Sequence, residues 1–278
     1  EADSVTGQIN VYGPLHPLMS FFYLLHPSIP KLIYMVIFTF SNLYVFHILR
    51  KKKYFNNFYN ILFFFLAIPF NFLVINYVFI FGHNDSLVVG LLIFSLIFKM
   101  QNKHVLSSVF IALSILEKYY TVVLLPFIFL DYINKKNFKD LYKSIYYLIL
   151  TAVVILVSIF LLYGFNLNFI SNFLFQERSP AMFSYLGSMS WFINLYHNQL
   201  SNLYNFYELL LNYNTFIMIL LYLLFFLFSI KQKIKTYFSI SIALWVVFTI
   251  FEGSFMTYYI AMISVFAMIP LEEKRNLY

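Results

Sequence analysis

The chain has no cysteine, few charged residues and few glycines, and each shortage excludes a class of function. Without cysteine the chain can form neither a disulfide framework nor a thiolate site. Cysteine usage therefore does not indicate whether the protein faces an oxidising or a reducing compartment. Charged residues make up 10% of the 278 residues, whereas soluble domains carry about 25%. The 7 glycines form no phosphate-binding loop, and the sequence contains neither the HExxH zinc motif nor the G-x-S-x-G nucleophile elbow.

Hydrophobic residues are abundant instead. They make up 62% of the chain, and the mean hydropathy is +0.80. A soluble domain of this length cannot bury so much apolar surface, so an integral membrane protein is predicted. The net charge of +7 would suit a nucleic-acid partner. However, the charge lies beside apolar runs and not on one face, so no nucleic-acid partner is expected.

Lysine and arginine are concentrated in short clusters that flank the apolar runs. Of the 18 residues, 15 lie in five clusters: Arg50–Lys53, Lys99 with Lys103, Lys135–Lys143, Lys231–Lys235, and Lys274 with Arg275. Cytoplasmic loops of membrane proteins carry the excess of Lys and Arg. We therefore expect every cluster to be cytoplasmic, and the segments with isolated acidic residues to face the other side.

The apolar runs between the clusters predict about nine transmembrane or partly spanning helices, since a full span needs roughly 20 apolar residues. The runs are Lys31–Leu49, Phe58–Phe81, Ser86–Phe98, Val105–Leu116, Tyr119–Leu130, Ser144–Tyr163, Phe206–Ile230, Tyr237–Phe251 and Tyr258–Leu271. Pro69 is expected to kink the second run. The third to fifth runs are short, which predicts a cavity open to the outer face near Asp85 and Lys118. The fold class is all-α, with one polytopic bundle in a single domain over residues 1–278.

Two other stretches are not expected to cross the membrane. Pro14–Leu25 predicts a short helix along the outer interface, and Gly164–His197 predicts the longest loop. The chain begins at Glu1 on the predicted outer side without a visible signal peptide. We therefore expect an N-terminally truncated chain that lacks the first membrane helix and part of the first outer loop.

Lys118 is the most informative charge outside the clusters. It lies in SILEKYYTVVLLPFIFL, at the predicted outer ends of two short helices. A charge at the centre of a membrane helix costs roughly 2.5–3.5 kcal/mol on insertion scales. The structural explanation is a snorkelling lysine paired with Glu117. The functional explanation is a ligand for phosphate or carboxylate that faces a cavity.

A polar turn, Gly82–Ser86, follows the second apolar run. Asp85 is suited to cap the next helix. Alternatively, His83 and Asp85 line the same substrate cavity as Lys118. Two ligands are too few to predict a metal site, so a divalent metal is not indicated and no cofactor is predicted.

The remaining candidates lie on the predicted outer side. Arg178 is the only arginine there; its planar fork matches phosphate, and a solvated loop residue is the alternative. Tyr12 and His16 lie at interface depth, where aromatic side chains are common. Glu1 and Asp3 are either a solvated terminal pair or acidic groups of the site.

Several segments follow, in order, the pattern of a known family. YGPLHPLMSFFYLL is similar to a Tyr-Pro-Pro-Leu segment, and GHNDSLVVGLLIFSLIF to a Gly-(Gln/Asn)-x-(Asp/Glu) turn before an apolar helix. ALSILEKYYTVVLLPFIFL is similar to a Lys-x-(Tyr)-Pro-x-x-Leu-Leu-Pro stretch, with Tyr120 and Thr121 where a proline is common. FQERSPAMFSYLGSMSWFINL and FMTYYIAMISVFAMIP are similar to a later outer loop and a closing helix. Together they resemble membrane glycosyltransferases of the C superfamily, nearest to the polyprenyl-phosphate-mannose-dependent mannosyltransferases, including family 87 and the GPI mannosyltransferase-like enzymes.

The resemblance implies an enzyme that transfers a hexose, mannose first among them, from a polyprenyl-phosphate donor to a hydroxyl of a lipid- or protein-linked acceptor. The leaving phosphate would be stabilised by basic residues, and a carboxylate of the first outer loop would act as general base. Carried onto this chain, these roles fall on the phosphate ligands Lys118 and Arg178, the cavity residues His83, Asp85, Tyr12 and His16, and the base candidates Asp3 and Glu1. In the family the acidic motif lies further ahead of the segment that begins here at Tyr12, so a base upstream of this chain is the alternative.

Other function classes remain open at this point. A lipid or sugar transporter or flippase would use Lys118 and Asp85 as a path, although no inverted repeat is visible. A membrane acyltransferase would use His83 or His16, and a scaffold subunit would use neither. The expected location is the plasma membrane in a prokaryote or the endoplasmic reticulum in a eukaryote, with membrane lipids as neighbours and the site on the extracytoplasmic face.

Overall fold

The computed structural model describes residues 13–51, 58–59, 61–62, 75–80, 85–163 and 214–230. All regular structure in these ranges is helical, and they contain no strand. The backbone divides into two compact units, one of residues 1–122 and 136–177 and the other of residues 123–135 and 178–278. The all-α prediction is confirmed for the described ranges. The arrangement as a single domain of about nine helices stays a prediction.

Seven α-helices are described and are numbered here in chain order. The first unit contains α1 (Leu15–Phe21), α2 (Ser28–Lys51), α3 (Asp85–Met100), α4 (His104–Glu117) and α6 (Phe138–Tyr163), and the second contains α5 (Leu125–Asn134) and α7 (Asn214–Ile230). Short 3₁₀ turns cover Phe22–Leu24 and Tyr119–Leu124, and a π-helical turn covers Ile75–Ile80.

Among the described residues, two helices are long and apolar enough to cross a membrane, over Ser28–Ile48 and Phe138–Leu162. Only 6% of the most apolar stretch of the second is buried in the protein, as a lipid-facing helix requires. These helices agree with the spans predicted at Lys31–Leu49 and Ser144–Tyr163. The second begins six residues earlier than predicted, because the polar first turn that contains Asp140 is also helical.

Helix α3 forms the centre of the first unit. Thirteen of its 16 residues are buried, and it packs on both α2 and α4. Gly90 permits the close approach of α2, because a Cβ there would lie 3.0 Å from Ile37 Cγ2 and 3.2 Å from the Phe38 backbone. The short apolar run predicted at Ser86–Phe98 is therefore a buried helix among other helices.

Serine hydroxyls join α3 to α4. Ser95 Oγ donates to the carbonyl of Ser107 at 2.8 Å, and Ser114 Oγ donates to the carbonyl of Val88 at 3.0 Å. Small polar side chains let two helices approach closely and exchange hydrogen bonds in an apolar environment. These two bonds fix the position of α4 along α3.

The connection between α3 and α4 is a tight C-terminal cap. The N–H of Lys103 donates to the Phe98 carbonyl at 2.8 Å, and the N–H of Asn102 donates to the Lys99 carbonyl at 2.9 Å. Asn102 has a φ of 59°, the left-handed conformation that asparagine tolerates in this motif. The chain therefore reverses within three residues, and α3 and α4 run antiparallel.

The prediction of one helical run over Tyr119–Leu130 is wrong. The structure has a 3₁₀ turn to Leu124, and α5 begins at Leu125 and ends at Asn134. Pro126 lies in the first turn of α5. Proline has no N–H to give to a preceding helical turn but is well suited to a first turn, so a new helix starts there. In the second unit, α5 packs on α7 through Phe127, whose ring meets Tyr222 and Phe226 edge to face at 5.4 and 5.5 Å.

The helices of the first unit have two chemically different ends. At the end that we call the basic end, Tyr44 of α2 hydrogen-bonds Gln101, and His104 of α4 lies 3.2 Å from Asp140 of α6. Arg50, Lys99, Lys103 and Lys139 belong to the same helix termini and loop. Described residues of three predicted cytoplasmic clusters thus lie at one end of this unit, as the charge pattern requires.

Candidate functional site

The opposite end, which we call the site end, is where α3 begins and α4 ends. Glu117 is the last residue of α4. Lys118 follows in an extended conformation, with φ −142° and ψ 116°, and its N–H donates to the Ser114 carbonyl at 3.1 Å. Thr121 Oγ1 donates to the Lys118 carbonyl at 3.2 Å. This break in the helix gives the consecutive side chains of Glu117 and Lys118 different directions.

Lys118 forms a buried ion pair with Asp85. Its Nζ lies 2.7 Å from Asp85 Oδ1, and the two side chains are 9% and 2% exposed. Asp85 is the first residue of α3, where the positive end of the helix dipole also favours a carboxylate. A buried charge needs a partner because desolvation costs several kcal/mol per ion. Asp85 and Lys118 were both predicted as site residues. They lie 33 positions apart in sequence and are in direct contact in the structure.

Glu117 is paired with His16. Glu117 Oε1 lies 3.0 Å from His16 Nδ1. The structural explanation of Lys118 paired it with Glu117, whereas in the structure Glu117 pairs with His16 and Lys118 pairs with Asp85. The main chain also joins these segments, since the N–H of Gly13 donates to the Glu117 carbonyl at 2.6 Å. The only feature of the sequence that points to this contact is the proline-bounded apolar segment, which predicts the short helix that carries His16.

Helix α1 holds His16 in place by packing on the first unit. Met19 belongs to an apolar cluster with Tyr34 of α2 and with Leu87 and Leu91 of α3. The prediction of a short helix over Pro14–Leu25 is confirmed as α1 and the 3₁₀ turn after it. Leu24 and Leu25 remain exposed, as an interfacial helix would leave them.

Gly13 has a steric role at the start of this segment. A Cβ at Gly13 would collide with the backbone carbonyl of Leu116 and lie 3.0 Å from the carbonyl carbon of Glu117. Only glycine allows the backbone to approach the end of α4 so closely. This approach sets the distance at which His16 meets Glu117.

The other predicted site residues lie outside the described residues. They are Glu1, Asp3, Tyr12, His83 and Arg178. Their roles, and the convergence of Arg178 with Lys118, stay predictions. Within the described ranges, no group of three or more His, Cys, Asp or Glu side chains is arranged to hold a metal ion.

A cavity of about 430 Å³ lies beside the start of α2. It is lined by His26, Ser28, Ile29, Lys31, Leu32, Met35, Phe79 and Ile80. The lining contains none of the predicted site residues. The outward cavity predicted near Asp85 and Lys118 is a different one. It would include residues outside the described ranges, so it stays a prediction.

The comparison with known families gives a match over part of the chain. Residues 64–134 match the family model described as alpha-(1->6)-mannopyranosyltransferase, N-terminal domain. The match covers a minor part of the 278-residue chain, but it includes Asp85, Glu117 and Lys118. The chain is thus similar to a mannosyltransferase family, which supports a glycosyltransferase in general terms and does not favour a transporter. No curated protein and no solved structure matches the chain.

Proposed function

We propose that this chain, which is similar to alpha-(1->6)-mannopyranosyltransferases over residues 64–134, belongs to a multi-pass membrane mannosyltransferase. The donor is mannose on a polyprenyl phosphate, and the acceptor is a hydroxyl of a lipid- or protein-linked glycan. The reaction takes place at the extracytoplasmic face. The observation that carries the proposal is the buried Lys118–Asp85 pair, which lies inside the family match and at the end opposite the basic clusters.

Lys118 is proposed to bind the phosphate of the donor. As the bond between the anomeric carbon and the phosphate oxygen breaks, negative charge grows on the leaving group. A positioned ammonium in a site of low dielectric stabilises that charge more than it stabilises the ground state. An ammonium has three N–H donors, so it can bond Asp85 and a phosphate oxygen at the same time.

Asp85 is proposed to orient Lys118. Its 2.7 Å bond fixes a long side chain that would otherwise sample many rotamers. Orientation before binding lowers the entropic cost of holding the donor. Arg178 is proposed as a second phosphate ligand, because a guanidinium fork bonds two phosphate oxygens at once. His83 and Tyr12 are proposed to line the same cavity.

The donor chemistry is consistent with the composition of the chain. A polyprenyl carrier stays in the membrane, so the enzyme needs no soluble nucleotide-binding domain, and the sequence contains no glycine-rich phosphate loop. The proposed mechanism uses no metal and no cofactor. The proposed location is the plasma membrane of a prokaryote or the endoplasmic reticulum of a eukaryote, with the basic clusters on the cytoplasmic side.

The test is a transfer assay with the full-length protein in membranes. Labelled mannose is offered either as polyprenyl-phosphate-mannose or as a nucleotide sugar, with and without a chelator. We expect incorporation from the lipid donor only, and at the same rate when divalent metals are removed. Incorporation from the nucleotide sugar alone would contradict the proposed donor. Mass spectrometry of surface glycans from cells with and without the gene then identifies the acceptor.

A further inference from the structure

Lys31 is a cation that neither the basic clusters nor the proposed reaction uses. Of the 18 Lys and Arg residues, 15 lie in the clusters, which leaves three: Lys31, Lys118 and Arg178. Lys31 lies in the first turn of α2, and the basic residues Arg50 and Lys51 lie in its last turn. Lys31 is therefore at the site end, where a positive charge runs against the usual charge bias of membrane proteins.

The cavity of about 430 Å³ lies beside Lys31. Its volume falls in the range of small-molecule sites, about 300–1,000 Å³. Four of the lining residues in α2 recur at a spacing of three or four positions: Ser28, Lys31, Leu32 and Met35. This spacing places their side chains on one face of the helix. The π-helical turn adds Phe79 and Ile80 to the wall, so the cavity joins two segments of the first unit.

The lining changes from polar to apolar along α2. Ser28 and Lys31 lie in the first turn, and Met35 lies one turn further, about 6 Å along the axis from Lys31 at 1.5 Å per residue. Leu32 and Ile80 are 58% and 62% exposed, so the apolar part of the cavity opens on the surface of the unit. None of the lining residues in the described ranges is acidic.

His26 adds a hydrogen-bond donor at the polar end of the cavity. Its Nδ1 accepts a hydrogen bond from the N–H of Ser28 at 3.2 Å. A ring nitrogen that accepts carries no hydrogen, so the hydrogen of the neutral imidazole is on Nε2. The side chains of His26 and Lys31 are both exposed. An ammonium and an imidazole N–H are thus available to an anion at the start of α2.

A cation above an apolar wall matches the chemistry of a membrane lipid. A phosphate bonds to ammonium and imidazole N–H donors, and an acyl chain covers apolar side chains that would otherwise stay exposed. A free phosphate ion would leave the apolar wall uncovered. The sugar donor in its reacting position does not fit this cavity, because the lining contains neither Lys118 nor Asp85.

We propose that this cavity binds one anionic phospholipid of the leaflet at the site end. The phosphate accepts hydrogen bonds from Lys31 Nζ and His26 Nε2, and an acyl chain lies against Leu32 and Ile80. The bound lipid joins the start of α2 to the π-helical turn that precedes Asp85. The site does not depend on the mannosyltransferase assignment, because it requires only that α2 cross the membrane.

The test is photolabelling of the full-length protein in phosphatidylcholine vesicles. The probe is phosphatidylglycerol with a diazirine in its acyl chain, and mass spectrometry locates the labelled peptides after irradiation. The same diazirine chain on phosphatidylcholine measures the ordinary contact of these helices with the bilayer. We expect the phosphatidylglycerol probe to label residues 28–35 and 75–80 about 10-fold more than the phosphatidylcholine probe, because only the former has a net negative headgroup.

Three variants test the headgroup contact. Lys31→Gln removes the charge from an exposed position, so the fold is kept, and labelling of the two segments by the phosphatidylglycerol probe should fall by about 10-fold, the usual effect of losing a hydrogen bond to a charged group. Lys31→Arg keeps the charge and should keep most of the labelling. Lys51→Gln is the matched control, because Lys51 is an exposed lysine at the other end of the same helix. Its labelling should equal that of the wild-type protein.

Competition identifies the occupant. Unlabelled phosphatidylglycerol should displace the probe from both segments, whereas an equal amount of polyprenyl phosphate should not. Displacement by polyprenyl phosphate alone would assign the cavity to the carrier of the donor and overturn the proposal. Equal labelling by the two probes, or equal labelling of the wild-type protein and Lys31→Gln, would also overturn it. The readout is labelling and not transfer, so failure of the lipid site and failure of the proposed function are separate results.

Discussion

At the residue scale, the pairing of four ionisable side chains is the main result. Lys118 lies 2.7 Å from Asp85, and Glu117 lies 3.0 Å from His16. The sequence predicted that Lys118 and Asp85 lie close together, because both interrupt apolar runs on the same predicted side, and the two side chains are in contact. Their shared cavity with Arg178 stays a prediction. The sequence did not predict which carboxylate meets which cation. Neighbours in sequence suggested Glu117 for Lys118, and the extended backbone at Lys118 turns the two side chains apart.

Replacing one partner of the Lys118–Asp85 pair should destabilise the protein. Lys118→Met takes the ammonium away from a buried carboxylate, and Asp85→Asn takes the carboxylate away from a buried ammonium; removal of one partner from a buried ion pair costs about 3–5 kcal/mol. The double variant leaves no uncompensated charge, so it should recover most of the stability. Thermal unfolding of the purified protein in detergent measures the three effects. Additive losses in the double variant would contradict a direct ion pair.

At the element scale, helix boundaries were predictable where a strong local signal exists. The long apolar run of α2 and the proline-bounded helix α1 were both predicted from sequence. The division of Tyr119–Leu130 into a 3₁₀ turn and α5 was not, because hydrophobicity is continuous across Pro126. The docking of α1 on α4 was also not predicted, since it depends on one close backbone contact at Gly13.

Gly13 gives a test of this docking. In Gly13→Ala the new methyl group would collide with the carbonyl of Leu116, which belongs to a helix and cannot move aside. We expect α1 to shift from the end of α4 and the His16–Glu117 bond to lengthen, and transfer to fall by about 10-fold or more because side chains at the end of α4 are displaced by roughly an ångström. Leu24→Ala is the control, because Leu24 follows the same helix but is 80% exposed. Equal activity in both variants would show that the approach at Gly13 does not position the site.

At the scale of the whole molecule, charge segregation predicts the orientation in the membrane. The clusters that contain Arg50, Lys99 and Lys139 lie at the basic end of the first unit, opposite Asp85 and Lys118. This sidedness was predictable because the short cytoplasmic loops of membrane proteins carry an excess of Lys and Arg. The number of membrane crossings was harder to predict, because α3 and α4 are so short that length alone does not distinguish a membrane span from a buried helix.

Cysteine labelling tests the orientation directly. The chain has no native cysteine, so a single substitution gives a single reactive site. In intact cells, an impermeant thiol reagent should label Asn84→Cys and Asn198→Cys but not Asn102→Cys or Gln232→Cys. Permeabilised cells, in which all four should react, provide the control. Labelling of position 102 from outside would reverse the predicted topology and place Lys118 on the cytoplasmic side.

The central claim is that the Lys118–Asp85 pair serves transfer from a polyprenyl-phosphate sugar. The most direct measurement is the rate of mannose incorporation by the folded Lys118→Met/Asp85→Asn double variant beside the wild-type protein, at equal protein amounts in membranes. A charge that stabilises a leaving group contributes about 100-fold or more to the rate, so the account predicts a loss of at least that size with the fold intact. Incorporation at the wild-type rate would contradict it and leave the pair with a structural role alone.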